Sequence, residues 1–467
     1  MPTTALAPYG PLPSAPQLSW QRLGMNLFVH FGMNTFTGRE WGEGEDDPKN
    51  FNPTAVDCKQ WARTAREAGF QIGILTAKHH DGFCLWPTST TDYSVKSSPW
   101  RDGQGDLVRE FVDAFRAEGL KVGLYLSPWD RHEPCYGDSP RYNDLYCTQL
   151  TELLTQYGEL HEVWFDGACV IGPNGQKQEY DWQRYFSIVK ELQPQAVTFG
   201  DGGTDVRWVG NERGYAGETC WACVDPKRVK FPGDSGIDTG VDAAAKGEFK
   251  RLLQEGDDPA QTPDGVWRAA ECDVSIRPGW FYHAAEDDQV RSVENLVELY
   301  FKSAGRNSLL LLNIPPTPTG LFHENDIAAV LGLRKELDRI FAQNVATGST
   351  VKASAELPEY PAKNLLDGDL DTFWAAPDSA PATLEIELAQ PQSITVADLR
   401  EPVQHGQRIA AWRLEALNES GQWITLSTGT TIGHRRLLKF EPVTTTNIRL
   451  HLDKSYAPAA LTSIGLY

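Results

Sequence analysis

Two carboxylates and three imidazoles, each just past a short apolar run, are the groups through which this chain could do chemistry. Asp166 follows Val163–Trp164–Phe165, and Glu212 follows Trp208–Val209. Two carboxyl groups on nearby strand ends are what glycoside hydrolysis needs. One attacks the anomeric carbon while the other first donates, then removes, a proton, and in retaining enzymes the two lie about 5–5.5 Å apart. Glu212 has a second reading, as the salt-bridge partner of Arg207 or Arg213. Burial against Trp208 and repulsion from Asp166 are expected to keep a proton on it. The imidazoles are His30, His79 and His80. The last two are adjacent, so in an extended segment they should point oppositely and not ligate one ion together. No His-x-His or His-Glu-x-x-His spacing occurs, so no metal is expected, and hydrogen bonding to sugar hydroxyls suits these rings better. Neither a Gly-x-Ser-x-Gly elbow nor a Walker loop is present.

Short runs with the look of parallel strands buried on both faces must carry these groups. They span 25–31, 70–77, 120–127, 162–165, 196–200, 207–209, 272–276 and 308–314. Amphipathic stretches at 54–68, 106–118, 144–157, 182–192, 289–302 and 327–341 lie between them, with Asp106 and Asp144 where N-caps are wanted and Gly69, Gly119 and Gly158 as stops. The pattern predicts an α/β fold, a (β/α)8 TIM-like barrel over residues 25–344, after an irregular lead-in at 1–24. A doubly wound sheet is disfavoured because no Gly-rich phosphate turn follows the first strand. In a barrel the active site gathers at the C-terminal strand ends. Here those ends read His30–Phe31–Gly32, Lys78–His79–His80–Asp81, Ser127–Pro128–Trp129–Asp130, Asp166–Gly167 and Gly210–Asn211–Glu212. The stretch 221–267 reads as long loops over the mouth. Beyond residue 345 the apolar period becomes two, which predicts an antiparallel β-sandwich over 345–467.

The 467 residues, 40% hydrophobic and 23% charged, suit a large domain plus a small one. A formal net charge of -20 disfavours nucleic acid and anionic membrane surfaces as partners, and no apolar run is long enough for a membrane helix. The first residues lack signal-peptide features, which fits a cytoplasmic protein, or a periplasmic or secreted one whose signal has been removed. The eight cysteines read as scattered core thiols. Cys220 and Cys223 have metal-knuckle spacing but no second pair to complete a site.

The segments His30–Phe31–Gly32, Arg39–Glu40–Trp41, Ala77–Lys78–His79–His80–Asp81–Gly82–Phe83 and Val163–Trp164–Phe165–Asp166–Gly167 resemble, in order and spacing, glycoside hydrolase family 29, the α-L-fucosidases. The resemblance covers essentially the whole barrel. It implies a retaining double displacement with Asp166 as nucleophile and no required cofactor. It also implies a fucose pocket built from His30, Glu40, Trp41, His79, His80, Tyr125 and Trp164. The segment Arg207–Trp208–Val209–Gly210–Asn211–Glu212 is similar to the branch specific for α-1,3/1,4-linked fucose on branched, Lewis-type oligosaccharides, which implies Glu212 as proton donor. The segment Ser275–Tyr282 resembles the same branch and implies Trp280 as a pocket wall. Glu218 and Glu271 are the alternative donors. A broad fucosidase that accepts α-1,2 linkages and a catalytically silent fucose-binding lectin are the rival functions. The run Ala362–Trp374 resembles the discoidin-like sandwiches of carbohydrate-binding module family 32, which implies a structural Ca2+ near the Asp367–Gly368–Asp369 turn.

Overall fold

The computed structural model describes residues 6–200, 202–227, 251 and 253–467. Eight parallel strands close into a barrel: β1 Met25–Val29, β2 Ile72–Lys78, β3 Lys121–Leu126, β4 Glu162–Trp164, β5 Val197–Gly200, β6 Val206–Trp208, β7 Ala270–Ser275 and β8 Ser308–Asn313. Closure comes from β1, which pairs with β2 on one side (Leu27 opposite Gly73) and β8 on the other (Met25 opposite Leu310). Every strand expected from the sequence is present. The part of the expected mouth loops at 228–250 lies outside the described residues.

The strands read as continuously apolar because their alternating faces enter two different cores. Leu27 and Val29, Leu75 and Ala77, and Leu310 and Leu312 pack outward against the helices. Their neighbours Phe28, Ile72, Ile74, Leu309 and Leu311 fill the barrel interior together with Trp20, Trp164 and Phe199. Both faces are therefore dry, as all-parallel sheets require.

Two acids also occupy that interior. Glu162 of β4 and Glu271 of β7 are fully buried and hydrogen-bonded to each other. Glu162 Oε2 accepts from Trp20 Nε1 (2.8 Å) and Asn26 Nδ2 (3.4 Å), whereas Glu271 Oε1 accepts only from Trp164 Nε1 (2.9 Å). The better-solvated Glu162 is the natural anion, so Glu271 holds the proton and donates it. Burial raises both pKa values above the ordinary range.

Helices α1 Ala15–Gln21, α2 Met33–Thr37, α3 Cys58–Ala68, α4 Leu107–Ala117, α5 Ser139–Gln156, α6 Trp182–Leu192, α7 Val293–Lys302 and α8 Glu324–Ile340 pack around the barrel. Asp106 caps α4 through the Arg109 amide, as expected. Asp144 does not cap α5. The helix begins earlier, at Ser139, with Pro140 in its first turn, and Asp144 pairs with Arg184 on its surface. The lead-in is not wholly irregular, because a Ser14–Gln17 capping box starts α1. This helix covers the N-terminal end of the barrel. Gln17 donates to the Asp205 and Trp267 carbonyls, and Trp20 reaches Glu162. Only residues 201–205 join β5 to β6, too few for a crossover helix.

The second domain is an antiparallel β-sandwich. It contains β9 Thr350–Ala353, β10 Ala382–Arg400, β11 Ile409–Leu417, β12 Trp423–Gly429, β13 Arg436–Ser455 and β14 Ser463–Leu466. The order is β9–β10–β13–β11–β12, and β14 pairs with β10. Residues 382–400 run as the single long strand β10, whose register against β13 shifts between Glu387 and Gln392. At the Asp367 turn, Asp367 accepts from the Asp369 amide and the Thr372 hydroxyl, Asp369 accepts from the Asp371 amide, and Asp371 pairs with Arg22. Among the described residues no three His, Cys, Asp or Glu side chains gather as a metal cage.

The sandwich meets the barrel around Asn307, just before β8. Asn307 holds a left-handed φ of 58°, a conformation asparagine tolerates better than most residues. Its amide donates to the Cys220 carbonyl and Gln407 Oε1, and its Oδ1 accepts from Gln21 and the His434 amide. One side chain thus ties α1, the loop after β6 and the sandwich together.

Asn307→Ala should lose about 2–4 kcal/mol of stability, because several buried groups lose partners at once. Denaturant melts read this directly, and a change under about 0.5 kcal/mol, the ordinary surface-substitution range, would show the junction to be redundant. The acid pair carries a pH signature. Glu271, whose folded pKa is raised well above the ordinary 4.5, adds stability that is full below that value and is lost progressively as pH climbs toward the raised one. Glu271→Gln keeps the donor and removes the titration. Its stability should fall less between pH 5 and 8 than that of the unmodified protein, leaving it ahead by about 1–3 kcal/mol at pH 8.

Candidate active site

The C-terminal strand ends converge on one pocket lined by Phe28, His30, Glu40, Trp41, His79, His80, Tyr125, Trp164, Asp166, Glu212, Asp273 and Trp280. It encloses about 420 Å3 of empty space, counted out to its open mouth, at the small end of ligand pockets. All ten residues expected from the sequence lie in it. Phe28 and Asp273 join them.

Asp166 stands one residue beyond Phe165, which is anchored in the outer core. Its Oδ1 accepts from the Ala168 amide at 2.7 Å and its Oδ2 from the Tyr125 hydroxyl at 3.3 Å. Burial pushes its pKa up and these two donors pull it back. Tyr125 is buried beside this acid, which holds its phenol protonated and keeps it a donor. Trp164 forms the floor, stacked on Phe199 with centroids 3.9 Å apart and held from below by Glu271.

The three histidines are buried and neutral, and their pKa values are driven down by desolvation, to about 3 for His30 and His80. Their neighbours fix which nitrogen carries the proton. Ser127 donates to the Trp129 carbonyl, so its oxygen must accept from His80 Nδ1 at 2.7 Å. Asn313 donates from Nδ2 to Ser275 and the Trp280 carbonyl, so its Oδ1 accepts from His30 Nδ1 at 2.9 Å. Asn34 donates to the Glu40 carbonyl and to His79 Nδ1 at 3.2 Å. His30 and His80 are therefore left with a bare Nε2 acceptor, and His79 with an Nε2–H donor. His80 Nε2 lies 3.9 Å from Asp166 Oδ2. His79 and His80 do not point apart as expected. The chain turns after β2, with the Gly82 amide on the His79 carbonyl, and brings the rings within 4.2 Å.

Glu40 fastens a loop. Its carboxylate accepts from the amides of Trp280 (2.8 Å) and Phe281 (3.4 Å) and meets His283 Nε2 at 3.1 Å. A Cβ at Gly279 would lie 2.5 Å from Glu40 Oε1, so a side chain there would have to displace that carboxylate. Trp280 in turn donates from Nε1 to Glu212 Oε2 at 3.3 Å. Trp41 is 60% exposed and packs edge-on to Trp129 at the rim. Glu212 is also exposed, so the expected burial against Trp208 is absent. Arg207 does not fill the salt-bridge reading, because its guanidinium serves the Leu253 and Arg268 carbonyls and Cys220 Sγ.

Other polar strand-end residues are structural. Lys78 is a buried strut between Asp130 and Gln149, Asp81 caps the Phe83 amide, and Asn211 closes its own turn. Of the alternative donors, Glu218 is exposed beside Arg306, and Glu271 sits beneath the floor. Asp273 was missed because it lies inside a strand. The signal was present in the period-two series Glu271, Asp273, Ser275, three polar residues on the inward face of β7.

The profile of the family described as "Alpha-L-fucosidase" matches residues 19–337, and that described as "F5/8 type C domain" matches residues 350–464. "Alpha-L-fucosidase 1" of Arabidopsis thaliana is 44% identical, over 98% of this chain and 88% of that protein. The crystal structure of SpGH29 superposes with a TM-score of 0.91 at 40% identity, covering 99% of both chains. A Ruminococcus gnavus GH29 fucosidase solved in complex with fucose gives a TM-score of 0.86 at 32% identity, over 99% of this chain and 96% of that one. With its barrel matched along nearly its whole length, the chain belongs to the α-L-fucosidase family.

Proposed function

We propose that the protein removes α-1,3/1,4-linked L-fucose from branched, Lewis-type glycans with retention of configuration. The observation that carries this reading is that Asp166 and Glu212 line one small pocket whose other walls are aromatic faces and neutral imidazoles. A solved relative carries fucose in its complex. In the first step Asp166 attacks the anomeric carbon while Glu212 protonates the departing oxygen. In the second Glu212 takes a proton from water, which releases fucose from Asp166. His30 and His80 accept hydroxyl protons, His79 donates, and the aromatic rings take the C–H face and the methyl group. Nothing in this scheme calls for a cofactor. A calcium ion at the Asp367 turn would be structural.

The linkage rests on two segments that resemble the α-1,3/1,4 branch. Their meeting at the Trp280–Glu212 hydrogen bond supports that reading. A ring wall beside the proposed proton donor is where a branching sugar would sit.

Asp166→Ala should lose turnover, and azide should restore part of it with the inverted β-azide as product. Glu212→Ala should lose Lewis glycans severely yet keep the first step on an activated aryl fucoside, and azide should then yield the α-azide. Product anomers read by NMR separate the two carboxylates, and near-normal rates in the Asp166 variant would remove it from the mechanism. Lewis a and Lewis x trisaccharides should be cleaved much faster than 2′-fucosyllactose, because a site that binds the branching galactose loses that energy when the sugar is absent. Equal kcat/KM values would replace the linkage assignment with the broad reading. No turnover of any fucoside alongside measurable fucose binding would point to the lectin.

A further inference from the structure

We propose that Asp273 is a third working carboxyl of the pocket, a neutral hydrogen-bond donor to the sugar held between Asp166 and Glu212. The proposal rests on the fucosidase reading and extends it to a residue that reading leaves idle.

The argument begins with charge. Four carboxyl groups line the pocket, Glu40, Asp166, Glu212 and Asp273, and no lysine or arginine is among its lining residues. The imidazoles His30, His79 and His80 face the same space uncharged. Beneath the floor lie two more acids, Glu271 and Glu162, which share a proton. Close carboxyls without a compensating cation cannot all ionise. Glu40 is engaged by two backbone amides and His283, and Asp166 has two donors aimed at it. Glu212 is exposed and meets water. Asp273 is 3% exposed, and its hydrogen bonds are the Trp208 indole N–H on Oδ1 (2.9 Å) and its own backbone amide. Burial, then the charges of Glu212 and Asp166, hold its pKa well above the usual carboxylate range.

The geometry gives the retained proton a use. Trp208 occupies Oδ1 as an acceptor, which leaves the other oxygen to carry the proton. The pocket is otherwise short of donors. His30 and His80 present bare acceptors, while the Tyr125 hydroxyl and the Trp280 indole are engaged on Asp166 and Glu212. Every sugar hydroxyl that donates to an imidazole still has an oxygen that accepts. His79, the Trp41 indole at the rim and, deep in the pocket, a protonated Asp273 are the side chains placed to meet that need.

The test compares Asp273→Asn with Asp273→Ala across pH, on a Lewis trisaccharide and an activated aryl fucoside. Asparagine keeps a neutral donor of the same shape, so kcat/KM at pH 6 should stay within about five-fold of the unmodified enzyme, about the worth of one ordinary hydrogen bond. Alanine should lose about 10- to 100-fold, the range for a buried donor left out. In the unmodified enzyme the ionisation of Asp273 should contribute to the alkaline fall in kcat/KM, and asparagine should move that fall to higher pH. An asparagine variant that melts like the unmodified protein but loses more than about 100-fold overturns the proposal whatever alanine does, because Asp273 would then act as an anion. Alanine at full rate overturns it as well. Absence of fucosidase activity in the unmodified protein would instead sink the reading on which the proposal rests.

Discussion

The two-sided pairing of β1 is the constraint from which the pocket follows. A parallel sheet of eight strands has one ring of C-terminal ends only if its first and last strands meet, and here they do so through the register of Met25 with Leu310. Closure sets His30 beside Asn313, which follow one another only across the seam, and their hydrogen bond fixes the tautomer of that imidazole. It also encloses an interior whose lower layer is the Glu162–Glu271 pair and whose upper layer is Trp164 and Phe28. The polar groups of the pocket stand on that floor. An open sheet of the same strands would leave Asn313 at one edge and His30 at the other.

Much of this was legible in the sequence, for a physical reason. Strands buried on both faces must be apolar throughout, so the first few polar residues after each run mark the point where the chain leaves the core. His30, His79, Asp166 and Glu212 were found that way. What stayed hidden were polar groups within strands. Glu162 and Asp273 sit in runs that otherwise read as dry, and only the inward pleat of a closed barrel brings them into one interior with Glu271, which was weighed as a proton donor and lies beneath the floor instead. Side-chain direction past a strand end was also beyond reach. The turn after β2 brings His79 and His80 together, where an extended segment would have parted them. The start of α5 was misplaced because Asp144 looked like a cap, whereas the proline at 140 fits the first turn of a helix that begins earlier.

Glu40 shows how the sequence can place a residue and leave its work open. It lines the pocket, yet its oxygens hold the 279–283 loop, and through that loop the Trp280 indole reaches Glu212. A chain of contacts thus runs from the segment after β1 to the acid after β6, across the open mouth. The histidines make the same point differently. Their buried partners Ser127, Asn313 and Asn34 decide which ring nitrogen is an acceptor and which a donor. The pocket is therefore patterned before any sugar arrives, and binding need not reorganise it.

Asn307 carries a consequence for the order in which the molecule is made. The strand it precedes completes the barrel, but its partners Gln407 and His434 belong to a domain synthesised later. A chain emerging from the ribosome would finish its barrel with the lower junction still facing water. The first helix would already have its barrel anchors, Gln21 on Asn307 included, but residues 6–9 ahead of it would still lack Tyr360, His405 and Arg408. The last strands to be made are thus a keystone for the first, and the amino-terminal segment is secured only when almost the whole polypeptide is available.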